Sequence, residues 1–239
     1  MTTGKTVQIS SPEGDFPAYE ALPQTPSGKG VIVVQEAFGV NDHIEEVADR
    51  FAEQGYHAVA PHLFHRSGSP KLGYEDFSKV MPHMQALDDD KILSDVDATL
   101  VHLASRGLSG TQVGVVGFCL GGRVSFLVAT KRSLGAGVGF YGGGIVTARS
   151  EAMPALAGGI ATMTTPWLGL FGDTDQSIPV DDVETLRSQL ASKAKVETDI
   201  VRYAQAGHGF FCDKRPSFDA EAAADAWPRT LAWFSDHLT

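Results

Sequence analysis

Cysteine is almost missing from this 239-residue chain: only Cys119 and Cys212 occur, so no disulfide framework supports the fold. Basic residues are also scarce. Lys and Arg number 19 against 29 Asp and Glu, and no basic stretch offsets the net charge of −10, which argues against nucleic acid as a partner. No apolar run approaches the roughly 18 residues that span a bilayer. The opening Met1-Thr-Thr-Gly-Lys-Thr-Val7 lacks the apolar core of a secretory leader, so a cytoplasmic location and no membrane association are expected. Repeats, low-complexity tracts and linkers are absent too, and the length suits one domain over residues 1–239 with a full core.

What is present is an alternation of strands and helices. Thr6–Ser10 and Phe16–Ala21 read as short strands joined at the turn Pro12-Glu-Gly14. Gly30–Gln35 is a β-branched apolar run, fitting a buried parallel strand. Asp42–Gln54 is an amphipathic helix with Ile44, Val47, Ala48 and Phe51 on one stripe and Gly55 as a stop. His57–Ala60 is a further strand. Residues 62–87 have no clean period and read as a cap or lid with one short helix near Tyr74–Met84. Asp88-Asp-Asp90 opens a helix to Arg106, with acidic residues where the helix dipole favours them. Strands follow at Val113–Val116, Ala136–Tyr141, Trp167–Phe171 and Lys195–Tyr203. Helices are expected at Arg123–Thr130, Val180–Ala191 and Ser217–Leu238, the last interrupted near Pro228. This order implies an α/β fold with a doubly wound, mostly parallel sheet flanked by helices.

One stretch carries the chemistry. Gly117-Phe118-Cys119-Leu120-Gly121-Gly122 joins a buried strand to a buried helix. A strand turning sharply into a helix through Gly-x-Nuc-x-Gly is the nucleophile elbow of the α/β-hydrolase fold, here with cysteine in place of serine. The turn leaves no room for side chains beside the nucleophile, and the helix start aims N–H groups and partial positive charge at the thiol. In such folds the acid and base follow in chain order. Asp175, at the tip of Gly172-Asp-Thr-Asp175-Gln-Ser-Ile-Pro179, is the acid candidate, and Asp173 is better read as a turn-stabilising side chain. His208, flanked by glycines in Ala206-Gly-His-Gly-Phe210, is the base candidate. Glu36 follows the strand Gly30–Gln35, in the loop that supplies one amide of an oxyanion hole. That places the hole at the Ala37 and Leu120 amides.

Taken together, Gln35-Glu36-Ala-Phe-Gly39, the cysteine elbow, Phe140-Tyr-Gly142, Gly172-x-x-Asp175 and Gly207-His208-Gly-Phe210 resemble the dienelactone hydrolases, from about residue 6 to the end. The resemblance implies a cofactor-free hydrolase of a small-molecule ester or lactone, with a Cys119–Asp175–His208 triad acting through a cysteine acyl-enzyme. It also implies that Glu36 holds the resting thiol neutral and takes its proton when substrate binds. The family grips the lactone carboxylate with arginines, one in the cap and one shortly after the histidine. Here residues 67–105 contain no arginine, and the position four after His208 is Cys212. Lys71, Arg66, Arg123 and Arg215 remain as sources of that charge. No motif pins any of the four. Arg123 and Arg215 are substrate-binding candidates, Arg123 serving equally as a structural partner of Glu36 one helical turn past Cys119. Phe38, Tyr141 and Phe210 are candidate pocket walls that would serve equally as core.

Two other classes compete. Glutamine amidotransferases share the cysteine elbow, but they carry Glu two residues after the histidine, where this chain has Phe210. A neutral-ester carboxylesterase or thioesterase, or a hydrolase fold kept for binding alone, would fit the lost carboxylate clamp. His57, His62 and His65 do not match the spacing of a tetrahedral metal set, so no metal is expected. A monomer or small homo-oligomer is expected.

Overall fold

The computed structural model describes residues 3–75 and 77–239. One eight-stranded sheet organises them, in the order β1-β2-β4-β3-β5-β6-β7-β8. The strands are β1 (Lys5–Ile9), β2 (Phe16–Ala21), β3 (Lys29–Val34), β4 (Tyr56–Pro61), β5 (Val113–Phe118), β6 (Ala136–Phe140), β7 (Trp167–Gly172) and β8 (Thr198–Tyr203). β1 and β2 pair antiparallel, β2 joins β4 antiparallel, and every later pairing is parallel. The helices are α1 (Asp42–Glu53), α2 (Met81–Gln85), α3 (Asp89–Ala104), α4 (Leu120–Lys131), α5 (Val180–Lys193) and α6 (Ala220–His237). This is the α/β-hydrolase fold.

Local chemistry sets the elements. Asn41 caps α1 by accepting from the Ile44 amide at 3.3 Å, and Gly55 at φ 92° stops the chain just beyond it. Ile44, Val47, Ala48 and Phe51 are buried on the expected stripe. Asp88 caps α3 through the Lys91 amide at 2.8 Å. The parallel strands β3 and β5 through β7 are almost wholly buried, as strands covered by helices on both faces must be.

The structure corrects the expectations at two elements. α6 starts at Ala220, because Asp219 accepts from the Glu221 and Ala222 amides and sets the first turn there. It then runs unbroken through Pro228. The carbonyl that proline leaves without a donor belongs to exposed Ala224, where water can satisfy it. Within 62–87 the single expected helix is replaced by 3-10 turns at His65–Ser67 and Phe77–Lys79 and the short α2, which carries Pro82 in its first turn.

Candidate active site

The carboxyl ends of five neighbouring parallel strands converge on one place. Glu36 follows β3, Cys119 follows β5, Tyr141 follows β6, Asp175 lies on the loop after β7, and His208 lies on the loop after β8. In open α/β sheets this edge is where ligands bind.

Cys119 sits at the elbow with φ 55° and ψ −110°, a strained conformation for a residue with a side chain. Hydrogen bonds on both sides hold it there: the Cys119 amide donates to the Phe140 carbonyl and the Gly121 amide to the Gln35 carbonyl, each at 3.0 Å. A Cβ on Gly117 would collide with the Gly121 backbone, so this turn excludes any larger residue. Leu120 opens α4, so its amide has no intrahelical acceptor, and the Ala37 amide donates to nothing among the described residues. Both expected oxyanion donors are thus uncommitted.

His208 Nδ1 lies 2.6 Å from Asp175 Oδ2, which leaves the far edge of the ring to the Cys119 sulfur. Burial favours a neutral ring, yet attraction to Cys119 and the ring's hydrogen bonds to Asp175 and Cys119 outweigh it and push His208 up to about 10. Burial likewise pushes the Asp175 carboxyl up, but His208 and Ser177 reverse this and hold it below the usual carboxylate range. Asp173 has a structural partner, though outside its own turn: its two oxygens accept from Nε and Nη2 of Arg202 on β8 at 2.7 and 2.8 Å.

Glu36 is fully buried. Its Oε1 accepts from Arg215 Nη1 at 3.1 Å, while Oε2 has no partner within hydrogen-bond distance among the described residues. Burial dominates and raises its carboxyl above the ordinary value, against the opposing pull of Arg215 and His208. Arg215 reaches the site across Gly209 (φ 82°), where a side chain would collide with the guanidinium. The guanidinium also lies 5.6 Å from the ring centres of Phe38 and Tyr74.

Of the four cations considered from sequence, only Arg215 stands at this site. Arg66 binds Asp95 and Glu13, and Lys71 binds Glu45. Arg123 is a correction: it is 1% exposed, holds Asp89 with both terminal nitrogens, and donates to the Pro154 carbonyl. Its length carries the charge away from Cys119 to clamp the start of α3. Phe210 is corrected too, being buried among Phe140, Tyr141 and Tyr203 as core beneath the histidine loop. Tyr141 is likewise fully buried, but its hydroxyl has no hydrogen-bond partner among the described residues and its ring lies 5.2 Å from that of His208. Phe38 packs edge-on against Tyr74 at 4.6 Å and, with Val80, Leu72, Met84 and Cys119, forms a small apolar cluster between the elbow and the 62–87 segment.

Sequence reasoning missed two side chains. The Ser177 hydroxyl donates to Asp175 Oδ1 at 2.7 Å and lies 3.2 Å from His208 Nδ1, bridging acid and base. The Tyr74 hydroxyl accepts from Asn41 and from the Cys212 thiol, at 3.0 and 3.3 Å, beside Glu36. Ser177 had a signal, its position two residues past Asp175 in the same turn. Tyr74 had none, because its segment has no period. Cys212 is buried and unbonded to Cys119, with burial pushing its thiol up to about 11.

The comparisons with known proteins agree with this geometry. The family model described as "Dienelactone hydrolase family" matches residues 16–238. A Yersinia pestis protein provisionally named a carboxymethylenebutenolidase is 39% identical over 235 residues, covering 96% of this chain and 86% of its own length. An Escherichia coli protein with the same provisional name is 38% identical over 234 residues, covering 96% and 85%. The crystal structure of a protein from Klebsiella pneumoniae, provisionally named a dienelactone hydrolase, superposes with a TM-score of 0.90 at 37% identity, covering 98% of this chain and 99% of that one. An esterase from Pyrococcus furiosus, at 14% identity and a TM-score of 0.73, shares the fold. The chain therefore belongs to the dienelactone hydrolase family and is a hydrolase of that kind.

Proposed function

We propose that this protein cleaves a small ester or lactone through a thioester on Cys119. The observation that carries the reading is the Asp175–His208–Cys119 array, with a 2.6 Å contact between Asp175 and His208 Nδ1 and the elbow sulfur at the far edge of the ring. The thiolate attacks the carbonyl carbon, and the oxygen gains negative charge opposite the Ala37 and Leu120 amides. Each such donor is worth roughly 3–4 kcal/mol in comparable sites. The C–O bond breaks as imidazolium His208 protonates the departing alkoxide, so a lactone opens and an ester loses its alcohol. Water, deprotonated by His208, then releases the acid. Asp175 fixes the ring's orientation.

Glu36 and Arg215 form the substrate-sensing part of this proposal. Glu36 occupies the guanidinium in this structure. A substrate carboxylate competing for Arg215 would displace Glu36, whose raised carboxyl is suited to take up the thiol proton. The 62–87 segment serves as cap, with Phe38 and Tyr74 as walls. The reading is of a cytoplasmic enzyme, in keeping with a chain that has two unbonded cysteines.

The test is hydrolysis of p-nitrophenyl acetate, a neutral lactone and a carboxylated dienelactone by wild type and Cys119→Ala. Cys119-dependent turnover that favours the carboxylated lactone, and loses that preference in Arg215→Met, supports the whole reading. Cys119-dependent cleavage of neutral esters alone keeps the mechanism and removes the carboxylate role of Arg215. Turnover by Cys119→Ala overturns the mechanism.

A further inference from the structure

At the opposite edge of the sheet, well away from the catalytic loops, three side chains from separate elements point their donor atoms at one spot. Glu20 stands on β2, His57 near the start of β4 and His102 on α3. The register sets Glu20 opposite Val59, so His57, two residues back along β4, shares its face as a diagonal neighbour. α3 crosses that face and delivers His102. His57 Nε2 and His102 Nε2 lie 2.9 and 2.7 Å from the same oxygen, Glu20 Oε1. All three ligand atoms lie within 4.8 Å of one another. Glu20 is 2% exposed and His57 8%, whereas the His102 side chain, at 15%, leaves one edge open to water.

We propose that Glu20, His57 and His102 form a binding site for a divalent transition metal, with zinc the best fit. Two imidazoles and one carboxylate are a donor set zinc accepts, with water in the fourth position. Zinc bonds of about 2.0–2.2 Å place tetrahedral donors roughly 3.3–3.5 Å apart. The two N···O separations, 2.9 and 2.7 Å, need to open by about 0.4–0.8 Å around the ion, with the larger movement falling to His102 at its open edge. Each N–H···O bond to Glu20 is exchanged for a metal–nitrogen bond. The Nε2 proton of each neutral ring moves to Nδ1, so the rings stay neutral and no ligand is lost. Arg106 Nη2, 3.9 Å from Glu20 Oε2, leaves Oε1 as the coordinating oxygen, and its half-exposed side chain is free to turn toward solvent. The bound ion would clasp β2, β4 and α3 at the amino edge of the sheet. No local motif signals the site, because His57 and His102 lie 37 and 82 residues from Glu20.

The test is calorimetric titration of zinc into the chelator-treated full-length protein, with cobalt absorption as a second readout. Wild type and Cys119→Ala are expected to bind one equivalent, with a cobalt spectrum free of thiolate charge transfer. His102→Gln, at the open edge, should weaken zinc binding by more than the roughly 100-fold that loss of an outer-shell partner reaches, with ester turnover unchanged. Glu20→Gln should do the same, and the surface variant keeps the test valid if Glu20→Gln fails to fold. Equal affinity in His102→Gln and wild type, no binding at millimolar zinc, or binding lost in Cys119→Ala would each overturn the proposal.

Discussion

Replacing Arg215 by methionine should cost this protein stability in a pH-dependent way. Glu36 is fully buried and, among the described residues, Arg215 is its only hydrogen-bonding cation, at 3.1 Å, with the arginine side chain 17% exposed. Removing one partner of a buried pair typically costs 3–5 kcal/mol, because the other charge is left uncompensated. Glu36 can escape that state only by taking up a proton, and burial already raises its carboxyl above the ordinary 4.5. A folded-state carboxyl raised above its unfolded value makes stability fall as pH rises between the two values. Arg215→Met widens that window. At pH 8 urea unfolding should show about 3–5 kcal/mol lost. For a chain of this size that is a thermal midpoint lower by roughly 6–20 °C. Below about pH 4, where the carboxyl is protonated in both states, the loss should shrink to that of the arginine's packing. Adding Glu36→Gln to Arg215→Met should restore most of the stability at pH 8. A loss under about 1 kcal/mol at pH 8, or one of equal size at both pH values, would refute the argument.

Further outcomes follow from the same contacts. Asp175→Asn removes the charge 2.6 Å from His208 and should lower kcat/KM by about 10²–10⁴ in a p-nitrophenyl ester assay, with little change in fold by circular dichroism. Arg123→Met strands Asp89 and should destabilise by about 3 kcal/mol in urea unfolding, yet leave the turnover of folded protein close to wild type, since Arg123 stands outside the site. His208 is raised from 6.5 to about 10, so its contribution is full below pH 6.5 and is lost as pH rises through about 10. Wild-type stability should therefore fall more steeply across that window than that of His208→Asn, as followed by thermal melts.

The fold and the positions of the triad candidates Cys119, Asp175 and His208 were legible in the sequence because both are written locally. Strand runs, caps such as Asp88, and the glycines around Cys119 state their geometry within a few residues. Asp175 and His208 could be placed because each follows a strand on a short loop, which fixes it at the carboxyl edge. Charge partners were not legible. Arg123 lies one helical turn past Cys119, yet its reach carries the guanidinium to Asp89, and Arg215 reaches Glu36 across 179 residues of sequence. Phe210 shows the same limit: two residues past His208, an aromatic is wall or core according to which way the turn at Gly209 points it. The strand–loop grammar locates backbones, and long side chains choose partners by tertiary distance.

The central claim is that Cys119 forms the covalent intermediate. The most direct measurement is acid-quenched mass spectrometry during turnover of p-nitrophenyl acetate, followed by peptide mapping. The account predicts a single acetyl adduct on the peptide containing Cys119, lost together with turnover in Cys119→Ala. An adduct on another residue, or undiminished turnover in Cys119→Ala, would contradict it.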